Sequence, residues 1–176
     1  LAGSTVSIRL GDGAGGFTSG ATVSTDSAPV WVAVGDFNGD GNQDLAVACS
    51  STVSIRLGDG AGGFSGTTNV STGTSCTSVA VGDFNGDGKL DFVTANASAN
   101  TASVRLGDGA GGFTGTANVS VGTFPAAVVV GDFDNDGDLD FATANQNAGT
   151  VSIRLNNGAG SFSGSTEITV GSSPRY

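Results

Sequence analysis

The residues of this chain best suited to chemistry are carboxylates. Asp36, Asn38, Asp40 and Asp44 fall within nine residues, and the spacing returns as Asp83, Asn85, Asp87 and Asp91 and again as Asp132, Asp134, Asp136 and Asp140. The pattern puts side-chain oxygens at loop positions 1, 3, 5 and 9, with a glycine at position 6 where the chain must bend sharply. A hard cation such as Ca²⁺ takes roughly six to eight oxygens at about 2.3 to 2.6 Å, and a short loop wound round the ion supplies them from alternate residues plus one main-chain carbonyl. The carbonyls of Asn42, Lys89 and Asp138 at position 7 are the expected main-chain ligands. Mg²⁺ fits less well, because it demands strict octahedral geometry and keeps its waters. Position 12 carries no glutamate and the flanks read as strands, so these are not EF-hand loops, and the position-9 aspartate is expected to close each one.

A solvated Asp/Asn/Gly turn without metal is the alternative reading of any single loop, but three copies in register argue against it. Asp134 stands where the other loops have Asn38 and Asn85, which makes the third loop the most acidic and the one expected to bind most tightly. Three Ca²⁺ ions would bring the formal charge from −10 to about −4 and couple binding to folding. Their expected role is structural.

The remaining composition narrows the function. Eleven of the sixteen acidic residues lie in the three loops, so the negative charge is local. With no Lys/Arg cluster, a nucleic-acid backbone would be repelled. The absence of histidine and the single glutamate, Glu167, leave no hydrolytic triad or glycosidase pair without borrowing the loop carboxylates, so an enzyme is not expected. No apolar run approaches a membrane span, and the first residues lack a signal-peptide pattern, so the chain reads as mature or cut from something longer. Cys49 and Cys76 allow one disulfide between neighbouring units or two separate buried thiols.

Self-similarity organises the whole chain. "TVSIRLGDGAGGF" at residues 5–17 recurs unchanged at 52–64, and near-copies occupy 101–113 and 150–162. The arginines Arg9, Arg56, Arg105 and Arg154 are 47, 49 and 49 residues apart. Three segments of the type "VAVGDFNGDGNQDLAVA" begin at 32, 79 and 128. Each unit reads as four strands: a buried "VAVGDF", then "DLAVA" after the acidic loop, a half-exposed "TVSIRL" in which Ser and Arg alternate with apolar residues, and a Ser/Thr-rich outer strand. Repeating four-stranded antiparallel units suggest an all-β fold of propeller blades. Recurrent phenylalanines after the "GAGG" turn (Phe17, Phe64, Phe113, Phe162) and in the acidic loop (Phe37, Phe84, Phe133) are expected to pack between blades. The phase gives a half blade at 1–30 and blades at 31–78, 79–127 and 128–176, about three and a half in all. An open repeat array is the alternative to a partial or multi-chain propeller.

The acidic loop, with its "GDF" and "DLAVA" flanks and the "VSIRLGDGAGGF" that follows, strongly resembles the FG-GAP/VCBS repeat of integrin-α-like β-propellers. The resemblance covers essentially the whole chain. It implies that each loop joins the first two strands of a blade and binds Ca²⁺ on one face of the ring. It also implies an extracellular or cell-surface setting and a binding or scaffolding role.

Two functions are weighed on this basis. The first is a non-catalytic, calcium-stabilised scaffold or adhesion module whose partners are other copies or the remainder of a longer chain. The second is a lectin-like module in which Trp31 and Tyr176 stack on glycans, although Trp31 also reads as the cap of an inner strand. The sequons at Asn69, Asn96 and Asn118 are candidate glycan acceptors.

Overall fold

The computed structural model describes residues 3–115 and 117–175, apart from the side chain of Ser165. All regular structure among them is β. The first sheet is an antiparallel pair, β1 (Thr5–Gly11) and β2 (Phe17–Ser24). The second runs β3 (Trp31–Gly35), β4 (Asp44–Ala48), β5 (Thr52–Gly58) and an outer strand in two pieces, β6 (Phe64–Ser65) and β7 (Asn69–Ser71). The third repeats it with β8 (Cys76–Gly82), β9 (Asp91–Asn96), β10 (Thr101–Gly107), β11 (Phe113–Thr114) and β12 (Asn118–Ser120). The fourth has β13 (Pro125–Gly131), β14 (Asp140–Asn145), β15 (Thr150–Asn156) and an uninterrupted outer strand, β16 (Phe162–Thr169).

Each complete sheet is ordered as in the sequence, the topology of a propeller blade. The outer strand breaks after Ser65 and Thr114, beside Gly66 and Gly115 at φ 86° and 83°, whereas Gly164, at φ 88°, lies within the unbroken β16 at a register shift. The innermost strands β3, β8 and β13 lie side by side, so the sheets are stacked round an axis on that edge.

The core lies between sheets. Phe37, Ala46, Val53 and Ile55 of the second sheet meet Cys76, Val79 and Phe92 of the third, and the third meets the fourth through Phe84, Val93, Val104, Val128 and Phe141. The repeat-locked phenylalanines form the joint. Phe37 meets Phe113 edge-on with centroids 5.7 Å apart, and Phe84 meets Phe162 at 5.5 Å. At the end of the stack, Phe133 has no sheet beyond it and is 44% exposed, against 1% for Phe84.

Two strands differ from the pattern expected of them. The "TVSIRL" strand is not half-exposed: β5 and β10 are buried on both faces. Their Ser/Arg face is a joint with the preceding sheet. Ser54, Ser103 and Ser152 accept the main-chain N–H of Asp26, Gly73 and Gly122 at 2.9, 3.2 and 3.0 Å. Arg56, Arg105 and Arg154 donate from Nε to the carbonyls of Ser24, Ser71 and Ser120 at 2.8, 3.0 and 3.0 Å. Conversely β3, expected to be well buried, leaves Val32 and Val34 exposed, because the two-stranded first sheet has no inner strands to cover them.

Candidate functional site

Each acidic loop joins the first and second strands of its sheet, so the blade's highest charge is gathered at one end of that strand pair. In the first loop the Asp36 carboxylate folds the chain round itself. Its Oδ1 accepts the N–H groups of Gly39 and Asp40 at 2.7 and 3.2 Å, and its Oδ2 that of Gly41 at 2.8 Å. Asp83 does the same with Gly86, Asp87 and Gly88 at 2.8, 3.2 and 2.8 Å. Asp132 accepts from Asn135 at 2.7 Å and from Gly137 at 3.1 Å. This curl needs a left-handed residue at the fourth position, filled by Gly39, by Gly86 and in the third loop by Asn135 at φ 62°, a conformation asparagine tolerates.

The position-9 aspartates are wholly buried at the base of the loops. Asp44 accepts the N–H of Phe37 on Oδ2 and that of Gly58 on Oδ1, both at 2.8 Å. Asp91 accepts from Phe84 and Gly107 at 2.8 and 2.7 Å, and Asp140 from Phe133 and Asn156 at 2.9 and 2.8 Å. Each one therefore staples its loop to the end of the third strand. Burial pushes the Asp91 carboxyl up, against the pull of Gly107 and Phe84. A methyl group at Gly58 or Gly107 would collide with the carbonyl of Gln43 or Leu90, so glycine permits this approach.

The solvent ends of the loops differ in charge. Asp40 is held below the usual carboxylate range by the Asn42 N–H and the Asn38 side chain, and Asp87 by the Lys89 N–H and Asn85. Lys89 Nζ also lies 3.4 Å from Asp87. In the third loop Asp134 replaces the asparagine, and its carboxyl is raised by desolvation and by Asp136, Asp140 and Asp132. Oxygens of Asp132, Asp134 and Asp136 lie within 4.8 Å of one another. That spread suits one hard cation placed between them, so the residues fit the ion expected from the sequence. Asp138, of which only the carbonyl is expected to bind, donates its N–H to Asp136 Oδ1 at 2.9 Å.

Other acidic residues have local roles. Asp12, Asp59 and Asp108 each accept two N–H groups within their "GDGAGG" turns, led by Ala14, Ala61 and Ala110, and are held below the usual range. Glu167 stands where Asn69 and Asn118 do and accepts from Arg154 Nη2 at 2.9 Å. The sequon at Asn96 is closed to glycosylation in the folded chain, since Asn96 is fully buried and donates to Thr101 and Ser103. Asn69 and Asn118 are exposed on outer strands. Cys49 and Cys76 are free, buried thiols, and Tyr176 lies outside the described residues. None of the described residues forms a helix long and apolar enough to cross a membrane.

Stacked blades of antiparallel strands with an acidic loop between strands one and two define an unclosed, partial β-propeller. The FG-GAP-like repeat model matches residues 2–47, 36–94 and 83–143, and the chain belongs to that family. Among solved structures, BBS1N, crystallised in complex with ARL6DN, is similar at 19% identity with a TM-score of 0.62, over 96% of this chain and 48% of that one. An Agrocybe aegerita lectin specific for non-reducing terminal N-acetylglucosamine is similar at 20% identity and 0.59, over 95% and 47%. A Lactobacillus plantarum protein is similar at 17% identity and 0.63, over 96% and 50%. At these identities the likeness concerns the fold, and the chain spans about half the length of each. No curated protein matches the sequence.

Proposed function

We propose that this chain is a calcium-stabilised, non-catalytic segment of an extracellular scaffold or adhesion assembly, with one Ca²⁺ in each acidic loop. The convergence of Asp132, Asp134 and Asp136 within 4.8 Å, above an aspartate stapled to the blade, carries the reading. An ion there would neutralise the loop and tie its solvent end to an already anchored base, which is a structural task. In the first two loops Asp36, Asn38 and Asp40, and Asp83, Asn85 and Asp87, take the same places, with Asp44 and Asp91 behind them. The carbonyls of Asn42, Lys89 and Asp138 complete each set.

The assembly part of the reading is supported by the ends of the stack. Phe17 and Phe133, whose equivalents lie in joints between sheets, stand exposed at opposite ends. BBS1N and a Photorhabdus luminescens Tc holotoxin chain, both similar in fold, are themselves parts of larger complexes. Thermal unfolding with and without EGTA tests the proposal: a large loss of stability on chelation supports it, and indifference refutes it. Glycan binding is the second reading, favoured by the lectin likeness and by exposed Trp31. Specific retention on a glycan array would promote it, whereas silence together with end-to-end particles in micrographs supports the scaffold.

A further inference from the structure

We infer that Asn69 and Asn118 are acceptors for N-linked glycans, one on the outer edge of the second sheet and one on that of the third. The inference rests on the extracellular part of the proposed function and not on the calcium part.

Both asparagines open an N-V-S sequon, one repeat apart, and both lie opposite the serine of the S-x-R motif: Asn69 pairs with Ser54 and Asn118 with Ser103. The hydrogen bonds at that position fix which way each amide faces. Ser103 Oγ accepts the Gly73 N–H at 3.2 Å and Asn96 Nδ2 at 2.9 Å, so both its lone pairs are taken and its own proton goes to Asn118, at 2.7 Å. Arg56 has only donors, and its Nη2 lies 3.2 Å from Asn69, which also takes the Ser54 proton at 2.8 Å. The receiving atom is therefore the amide oxygen Oδ1 in both. The fourth sheet makes the same demand, since Glu167, whose carboxylate only accepts, stands opposite Ser152 and receives Ser152 Oγ at 2.8 Å and Arg154 Nη2 at 2.9 Å.

With Oδ1 turned inward, Nδ2 is turned outward. Both asparagines are exposed, and neither Nδ2 has a hydrogen-bond partner among the described residues. Ser71 and Ser120, the hydroxyl residues of the two sequons, are exposed as well, two positions along each strand and on the same side of it. Asn96 is the reverse case, buried with its Nδ2 bound to Thr101 and Ser103.

Nδ2 is the atom that glycan transfer uses, and the co-substrate class is an oligosaccharide carried on a lipid diphosphate. A bond forms from Nδ2 to the anomeric carbon, the bond from that carbon to the diphosphate oxygen breaks, the diphosphate leaves with the electron pair, and the amide gives up one of its two protons. Oδ1 takes no part, so the product keeps the bonds to Ser54, Arg56 and Ser103. A glycan at either place also covers β7 or β12, three-residue pieces of outer strand whose far side pairs with no strand. The fourth sheet guards the same edge with the charge of Glu167.

The full chain, directed through the secretory pathway of a mammalian host by a cleavable leader, tests the inference by intact mass and peptide mapping of the secreted, folded protein. Two glycans are expected, on Asn69 and Asn118, with Asn96 bare. Ser71→Ala and Ser120→Ala leave the asparagines and their bonds in place, so each should remove one glycan without lowering the melting temperature of the unglycosylated chain. Independently of any host, the side-chain amide protons of Asn69 and Asn118 in the unmodified chain should exchange with solvent far faster than those of Asn96, as followed by nuclear magnetic resonance. Absence of a glycan from either residue, or side-chain amides there as protected as that of Asn96, would overturn the inference. Because the leader supplies the secretory route, that result leaves the extracellular reading standing, whereas glycans on both residues together with a native chain found inside the cell would refute the extracellular reading alone.

Discussion

Replacing Arg105 by alanine should loosen the joint between the second and third sheets far more than the same change at Arg9, although the two arginines sit in nearly identical sequences. The Arg105 side chain is buried and donates to three carbonyls: Ser71 of the preceding sheet at 3.0 Å, and Val104 and Ala117 of its own sheet at 2.8 and 3.0 Å. Hydrogen bonds from a charged donor are worth about 1.5 to 3 kcal/mol each, and truncation leaves their acceptors buried without partners. Against this stands the cost of taking the guanidinium out of water, visible as a pKa lowered by desolvation. The balance is a loss of about 3 to 5 kcal/mol, a large part of a domain's stability. Arg9 is exposed, its side chain bonded among the described residues to Ser19 alone at 2.5 Å, and its removal should cost under about 0.5 kcal/mol. Urea unfolding followed by circular dichroism in saturating calcium measures both. If the two variants differ by less than about 1 kcal/mol, the S-x-R motif is not the clamp described here.

Asp91→Asn keeps the shape of the buried staple but sets an amide N–H₂ against the N–H of Phe84 or Gly107, and should cost about 2 to 4 kcal/mol in urea unfolding even without calcium. Gly107→Ala should be destabilising by about 2 kcal/mol or more, since the new methyl meets the Leu90 carbonyl, whereas Gly115→Ala meets open space and is strained only by its positive φ. Burial pushes the Cys76 thiol up to about 12. Because the native state holds that proton more tightly than the unfolded chain, Cys76 contributes full stability below about pH 9 and loses it as pH rises toward 12, a decline that Cys76→Ala should lessen in thermal unfolding. Asp134→Asn should raise the melting temperature of the calcium-free chain and lower the affinity of the third loop for calcium.

Much of this was legible in the sequence because the repeat is so regular. The spacing of Arg9, Arg56, Arg105 and Arg154 located the strands, and the acidic pattern located the hairpins between them. What misled was alternation. Ser54 and Arg56 interleaved with Val53, Ile55 and Leu57 read as a sheet with one wet face, but in a stack of blades both faces are covered, and the polar one meets carbonyls and N–H groups of the neighbouring sheet. The signal was available, since a surface arginine has no reason to recur at one position in four units. Equally hidden was the division of labour in the loops, where Asp44, Asp91 and Asp140 bind main-chain N–H groups of residues up to sixteen positions away. The Asn96 sequon failed for a related reason: its motif is local, whereas its burial comes from strands on either side.

Calorimetric titration of calcium into the decalcified chain tests the central claim most directly. The account predicts about three ions bound per chain, falling to about two when Asp132 and Asp134 are both changed to asparagine while the β-sheet circular dichroism in calcium persists. Absence of calcium uptake by the intact chain, or uptake unaffected by that double change, would contradict it.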